Sequence, residues 1–300
     1  MTTPNVTAVL VNYNAGPELR RALQSIAAEM SGQPWEAFVI DNASVDGSGA
    51  IIDEFAPQAH LVTNVENVGF ARGVNQGLRL ASAPRVLIMN PDCRLMAGAI
   101  AALTSALEAY PSCALVGPRI LNPDGSVQGS ARGDPDMFTG LFGRTTLLRR
   151  LLPELSVSKR NVVLPDDVAR EGGDSLVVDW LSGACMLARR DALERVNGFD
   201  ERYFLYWEDA DLCRRLREAG YQVRYVPGAT AIHRVAHSSR RAKSAAIRAF
   251  HESAYLYYST HVAPGGSQRT LDRRIRRRLK RMLARGILKA RCYMHIRAAS

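Results

Sequence analysis

Acidic residues stand at the ends of short apolar runs in this chain, and a histidine follows another such run. Asp41 follows 37–40, Asp92 closes Asn90-Pro91-Asp92 after 86–89, Asn12 ends 6–11, and His233 lies beyond 222–226. Asp209 sits in Tyr206-Trp207-Glu208-Asp209-Ala210-Asp211. Carboxylates suit a hard divalent cation, and Mn²⁺ also accepts imidazole. A carboxylate can also take the proton of an attacking hydroxyl. These are the parts that transfer of a sugar from a nucleoside diphosphate requires. A cation offsets charge growing on the leaving diphosphate, a base serves the acceptor hydroxyl, and a pocket holds nucleobase and ribose.

Each requirement has a candidate. Asp92 is expected to hold a metal on the diphosphate, with His233 as a second metal ligand. Asp41 is placed to accept a hydrogen bond from a pyrimidine imide, and Asp209 to act as the base. Asn67, Gly69, Arg72 and Asn75 open a helix predicted over 70–81, whose amino end favours anions, and Arg72 adds a cation for phosphate. Plainer readings stand beside these. Acids in a first helical turn are stabilised by the macrodipole without catalysis. Asp92 after Asn-Pro can simply cap the next helix. A lone histidine is more often structural, and the glycines at 69–77 also serve turns and close helix packing.

The elements that must position these residues alternate. Apolar strands are expected at 6–11, 37–40, 60–63 and 86–89, with helices at 17–30, 48–55, 70–81 and 97–110. Fully apolar strands in a βαβα rhythm predict a mostly parallel sheet covered by helices. In such sheets ligands bind beyond the carboxyl ends of the strands, where Asn12, Asp41 and Asp92 cluster. After Pro118 the rhythm changes: Asn122-Pro123-Asp124-Gly125 reads as a turn, and 129–175 is irregular. Structure resumes at 176–187 and 191–196, followed by a helix near 208–219 and a strand at 222–226 that ends at Pro227.

Composition narrows the classes further. The chain has 300 residues, 47% of them hydrophobic, and no run approaches the roughly 20 apolar residues of a membrane span. Residues 1–4 lack a basic region, so no signal peptide is expected and cytoplasmic residence is the default. Five scattered cysteines without a CxxC pair predict free thiols. The net charge of +10 belongs to the end of the chain: 269–300 carry 12 Lys+Arg against one acid, which leaves the rest near neutrality. There Leu271, Ile275, Leu279, Met282 and Leu283 fall at helical spacing, with Gly286 a point where the helix would end or bend. An amphipathic basic helix suits an anionic membrane surface. Packing against its own domain and nonspecific contact with nucleic-acid phosphate are the alternatives, and no nucleic-acid motif accompanies the charge.

Taken together, Val9-Leu10-Val11-Asn12-Tyr13-Asn14, Asp41-Asn42-Ala43-Ser44-Val45-Asp46-Gly47-Ser48, Asn67 through Gly77, Asn90-Pro91-Asp92, Trp180-Leu181-Ser182-Gly183-Ala184, Gly198-Phe199-Asp200-Glu201, Phe204 through Cys213 and His233 resemble the inverting glycosyltransferases of GT-A family 2. The motifs occur in the family's order over roughly 6–239. The resemblance implies a GT-A α/β fold over 1–265, in which 1–118 mainly binds the nucleotide sugar and 119–265 mainly supplies the acceptor and catalytic part. A basic tail at 266–300 follows.

It further implies Asp41 on the nucleobase, Asp92 as the metal-binding acid of a DxD element, Asp209 as base and His233 as metal ligand, with Mg²⁺ or Mn²⁺ as cofactor. The first acid of DxD is here Asn90, so the metal has fewer protein carboxylates. Trp180, Gly183, Trp207 and Glu208 are expected on the acceptor side, the two indoles as sugar platforms or as core. The stretch 198–215 looks like the bacterial rhamnosyltransferase-like branch. That branch implies dTDP-L-rhamnose or another nucleotide hexose as donor, and a saccharide or polyprenyl-pyrophosphate-linked acceptor in surface polysaccharide synthesis. Peripheral residence on the inner membrane face would suit that acceptor. A noncatalytic nucleotide-sugar or carbohydrate-binding protein on the same fold is the rival reading.

Overall fold

The computed structural model describes residues 3–133, 173–234, 243–262 and 271–299. The basic-apolar patch at 144–152 and most of the irregular stretch 129–175 lie outside the described residues. A mixed sheet forms the centre of the molecule. Its strands are β1 (Val6–Asn12), β2 (Trp35–Asp41), β3 (Ala59–Thr63), β4 (Arg85–Met89), β5 (Cys93–Leu95), β6 (Cys113–Leu121), β8 (Leu176–Val177), β10 (Cys185–Arg189) and β11 (Gln222–His233). The order is β3-β2-β1-β4-β10-β6-β11-β5, with β8 added beside β11. A separate two-stranded piece joins β7 (Ala131–Arg132) to β9 (Trp180–Leu181).

The first four strands of that order run parallel, as the apolar alternation predicts. β1 is buried along its whole length because both faces are covered, which is why it reads as a continuous apolar run. α1 (Pro17–Glu29), the 3-10 helix Ser48–Phe55 and α3 (Ala99–Ala109) close one face around Leu10, Leu19, Ile26 and Leu103. α2 (Phe70–Leu80), α4 (Arg190–Arg195), α5 (Glu208–Glu218) and parts of the C-terminal helices close the other around Val9, Val74, Leu212 and Leu216. Gly77 lets α2 lie directly on β1: a Cβ there would fall 2.4 Å from Val9 Cγ1.

Four expectations need correction. β11 does not stop at Pro227 but continues to His233. The register against β6 shifts between Val226 and Thr230, and that bulge absorbs the proline, which has no N–H for the ladder. The change of rhythm expected after Pro118 falls inside β6, and 176–187 divides into three short strands around Ser182-Gly183-Ala184. Nor does the last helix, α7 (Leu271–Ala299), end at Gly286; it runs through it and lies on α6 (Lys243–Tyr257), burying Ala284 and Leu288 in the main core. The extension of β11 has a chemical consequence, because only a strand running past the proline carries His233 to β5. No helix among the described residues is long and apolar enough to cross a membrane.

Candidate active site

β1 lies between β2 and β4, with the chain departing to opposite sides, so the crevice beyond their carboxyl ends is a topological switch point. At its floor Asn12 Nδ2 lies 2.6 Å from Asp41 Oδ1, 2.8 Å from Ser48 Oγ and 3.1 Å from Ser44 Oγ. Asp41 Oδ2 accepts the Ser44 N–H at 3.0 Å. Asn12 Oδ1 is a buried acceptor with no partner among the described residues, an unmet demand that a ligand N–H would satisfy. Asn42 carries the network onward, donating to Asn67 Oδ1 and to the Gly69 carbonyl. Asn67 Oδ1 in turn accepts the Gly69 N–H at 3.0 Å. Gly69 has φ +88°, and a Cβ there would sit 2.6 Å from the Phe204 carbonyl, which accepts the Phe70 N–H at 2.8 Å. The donor-side residues are thereby fastened to the loop that leads into α5.

The second cluster forms where β5 pairs with the end of β11, opposing His233 to Cys93. His233 Nε2 faces Asp92 Oδ1 at 3.2 Å and Asn90 Nδ2 at 3.4 Å. Its Nδ1 lies 3.1 Å from Gln128 Oε1, while Gln128 Nε2 donates to the His233 carbonyl at 2.8 Å and to Asn122 Oδ1 at 2.7 Å. With its amide N–H groups so used, Gln128 presents an acceptor to Nδ1. In the neutral ring Nδ1 therefore carries the proton, and Nε2 is the basic nitrogen aimed at Asp92. A lone pair and a carboxylate oxygen repel each other unless a proton or a metal cation joins them. Two cis ligands about 2.1 Å from an octahedral cation lie about 3 Å apart, close to the spacing here. No group of three or more His, Cys, Asp or Glu gathers among the described residues. The pair therefore fits a divalent ion that takes its remaining ligands from diphosphate and water.

Gln128 was not legible in the sequence, since it lies near the start of a stretch read as irregular. Gln128→Leu is expected to weaken Mn²⁺ binding, measured by EPR of free Mn²⁺ in the presence of a nucleoside diphosphate, by about 10- to 100-fold. Gln128→Glu, which keeps the acceptor at Nδ1, should restore most of it.

The third centre is Asp209, in the first turn of α5. Oδ2 accepts the Gly183 N–H at 2.9 Å and Oδ1 accepts the Ala210 N–H at 2.8 Å. Burial raises its pKa above the usual carboxylate range, and these two N–H groups oppose the rise. Glu208 is pushed further up, first by burial and then by the charge of Asp209; its Oε2 has no hydrogen-bond partner among the described residues. The backbone leading into α5 is strained: Tyr206 and Trp207 both have φ 70°, and on the donor side Asn14 and Ala43 have φ 53° and 59°. Such conformations persist where the surroundings over-determine them, as at functional sites.

One short span ties the second and third centres together. Gly183 gives its N–H to Asp209, and the next carbonyl, Ala184, accepts the Asn90 N–H at 2.9 Å. Other expected site residues are placed differently. Asn75 uses both ends of its amide on the Phe199 backbone, at 2.8 and 2.9 Å, and Arg72 Nε lies 3.2 Å from Glu201. Both brace the turn at 198–201. Trp180 and Trp207 stack with ring centroids 6.3 Å apart; Trp207 is buried against Phe250 and Tyr257, whereas Trp180 is partly exposed.

The mixed, mostly parallel sheet with helices on both faces is that of the GT-A fold. Solved structures agree on that fold. A mannosyltransferase from Pyrobaculum calidifontis, in complex with GDP-mannose and Mn²⁺, superposes with a TM-score of 0.59 at 20% identity, covering 100% of this chain and 77% of that one. GalNAc-T7 with UDP, GalNAc and Mn²⁺ gives 0.59 at 14% identity, covering 92% and 55%. Residues 7–161 match glycosyl transferase family 2, and 159–296 match glycosyl transferase family group 2. The N-acetylglucosaminyl-diphospho-decaprenol L-rhamnosyltransferase of Mycobacterium tuberculosis is 34% identical over 269 residues, covering 85% of this chain and 84% of that protein. The Escherichia coli rhamnosyltransferase WbbL is 48% identical over 81 residues, covering 27% and 31%. This chain belongs to glycosyl transferase family 2, as a rhamnosyltransferase-like member.

Proposed function

We infer that this enzyme transfers L-rhamnose, with inversion, from dTDP-L-rhamnose to a saccharide carried on a polyprenyl diphosphate, at the inner face of the membrane. The observation that carries the mechanism is the Gly183–Ala184 span, which holds the base Asp209 and the Asn90-Pro91-Asp92 turn to one short piece of chain. The similarity to the mycobacterial rhamnosyltransferase supports the choice of sugar and of acceptor class.

Asp41 and Asn12 hold the nucleobase at the floor of the crevice. Asp92 and His233 would hold Mn²⁺ or Mg²⁺, which when bound offsets the negative charge of the leaving diphosphate. Asp209 takes the proton of an acceptor hydroxyl as that oxygen attacks the anomeric carbon from the face opposite the diphosphate. The new C–O bond forms as the bond to the diphosphate breaks, so the anomeric configuration inverts. Trp180 is partly exposed, but Arg132 lies over its ring at 4.8 Å and Trp207 stacks on it at 6.3 Å, so the ring edge rather than an open face is what it offers an acceptor sugar. Glu208, whose pKa is raised by burial and by the charge of Asp209, lies beside the base on the acceptor side.

The test is hydrolysis and binding of a panel of nucleotide sugars, with and without Mn²⁺ or Mg²⁺, by the wild type and by Asp92→Ala. Metal-dependent release of dTDP from dTDP-L-rhamnose, lost in the variant, is expected. Selective binding and turnover of another donor would replace the sugar. Failure of the folded protein to bind any donor would overturn the transferase mechanism.

A further inference from the structure

α7 has two apolar faces, and its own domain uses only one of them. Ala284 and Leu288 are buried in the main core, Arg281 donates to the Ser259 carbonyl at 2.7 Å, and His295 meets His251 edge to face with centroids 5.3 Å apart. On the other side Leu279, Met282, Leu283, Tyr293 and Met294 are 57% to 70% exposed. At 100° per residue these five, with Gly286 and Ala290 between them, fall within a stripe about 120° wide, opposite the docked face. Arg278, Arg285 and Lys289 flank the stripe on one side and Lys280 on the other, all exposed. Residues 278–297 contain no acidic residue.

We propose that this outer stripe of α7 is an insertion surface for an anionic lipid bilayer, holding the acceptor side of the catalytic crevice at the headgroups. The charge pattern selects this occupant. A second copy packed stripe to stripe would oppose two uncompensated rows of cations. Nucleic acid would answer the cations but offers its backbone to solvent and has nothing to cover Leu279, Met282 and Leu283. A bilayer rich in anionic headgroups answers both at once, with apolar side chains among the acyl chains and cations at the phosphates.

The route to the active site is short. α6, on which α7 lies, donates from Ser253 Oγ to the Leu205 carbonyl at 3.0 Å. Its Phe250 meets Tyr206 and Trp207 with centroids 5.7 and 5.9 Å apart, and its Tyr257 meets Trp207 at 5.3 Å. One helix therefore separates α7 from the strained loop that presents Asp209. Helices in contact lie about 8–10 Å apart, so roughly two helix widths, about 20 Å, lie between the stripe and that loop. Holding the crevice at the headgroups rests on the lipid-linked acceptor of the proposed function; the binding surface does not.

The experiment uses the full chain and vesicles of phosphatidylcholine with and without phosphatidylglycerol, read by co-sedimentation. The wild type is expected to bind only the anionic vesicles, and less at high salt. The triple variant Leu279→Gln, Met282→Gln, Leu283→Gln alters three residues that are 60% to 70% exposed, so it should keep the wild-type circular dichroism and melting temperature. Its vesicle affinity should fall about tenfold or more. Wild-type and variant proteins that bind equally, or a wild type that ignores anionic vesicles, would overturn the proposal. So would a wild-type dimer, seen by analytical ultracentrifugation, that the triple substitution dissolves. A wild type that binds vesicles yet turns over no donor would leave the surface standing and remove the transferase mechanism.

Discussion

Asp209→Asn is expected to lower turnover about a thousandfold while leaving donor binding close to the wild type. Asn preserves the shape but has one acceptor oxygen where Asp209 uses two; turned towards Gly183 it keeps that N–H and gives up the local Ala210 N–H, so the loop at 183–184 should hold. What it removes is the ability to accept a proton from the acceptor hydroxyl. The pH profile gives an independent check. Burial raises the Asp209 pKa, so the wild-type kcat/KM should fall on acidification at a higher pH than an ordinary aspartate would impose. The variant should lose that limb. The same shift has a stability sign. A carboxyl with a higher pKa folded than unfolded binds more protons in the native state. Glu208 and Asp209 thus favour the fold at low pH and give up that contribution as pH rises towards their folded values. A variant with wild-type turnover would remove Asp209 from the role of base.

The second large effect concerns stability. Asp211, two residues along the same helix, is fully buried and accepts from Arg215 Nε at 2.6 Å, with His261 Nε2 also at 2.6 Å. The Tyr203 hydroxyl approaches it at 3.5 Å, and burial with the Asp211 charge holds that phenol protonated. His261 belongs to the π-helical turn Tyr258–Val262 that follows α6, so this one carboxylate pins the catalytic helix to the C-terminal helices. Asp211→Ala removes the carboxylate shared by a partly buried guanidinium, which keeps only the Val196 carbonyl, and a buried imidazole. It should cost about 3 kcal/mol or more in urea unfolding, because breaking a buried pair from one side strands the other charge. A double-mutant cycle with His261→Ala should show coupling, since either single variant breaks the same Asp211–His261 contact. Additive losses would mean that the two residues do not work as a unit.

The identity of the chemistry was legible in the chain, and the reasons are local. Apolar runs ending in Asn12, Asp41 and Asp92 specify buried parallel strands with polar residues at their carboxyl ends, and a parallel sheet collects those ends at one edge. The first turn of α5 was equally plain, because Glu208, Asp209 and Asp211 precede a clear helical period stopped at Gly220. Asn75 and Arg72 show the limit. Their types suit a phosphate site, but which way a helix side chain turns depends on the element packed beside it, here the turn at 198–201.

The sequence by itself determined the parallel half of the sheet and the glycosyltransferase class, and it named the candidates for metal binding and proton transfer. Tertiary structure decided what those residues do together. The bulge at Pro227 lets β11 reach β5 and sets His233 against Asp92. Gln128 then fixes which imidazole nitrogen faces the carboxylate, and Gly183–Ala184 joins that pair to Asp209. These pairings link residues more than 100 positions apart, or 26 in the case of Gly183 and Asp209, through backbone hydrogen bonds and packing. Local periodicity carries no record of such contacts. The same holds for α7: its apolar residues were visible in the sequence, and only its docking on α6 separates the face used in the core from the face left to solvent.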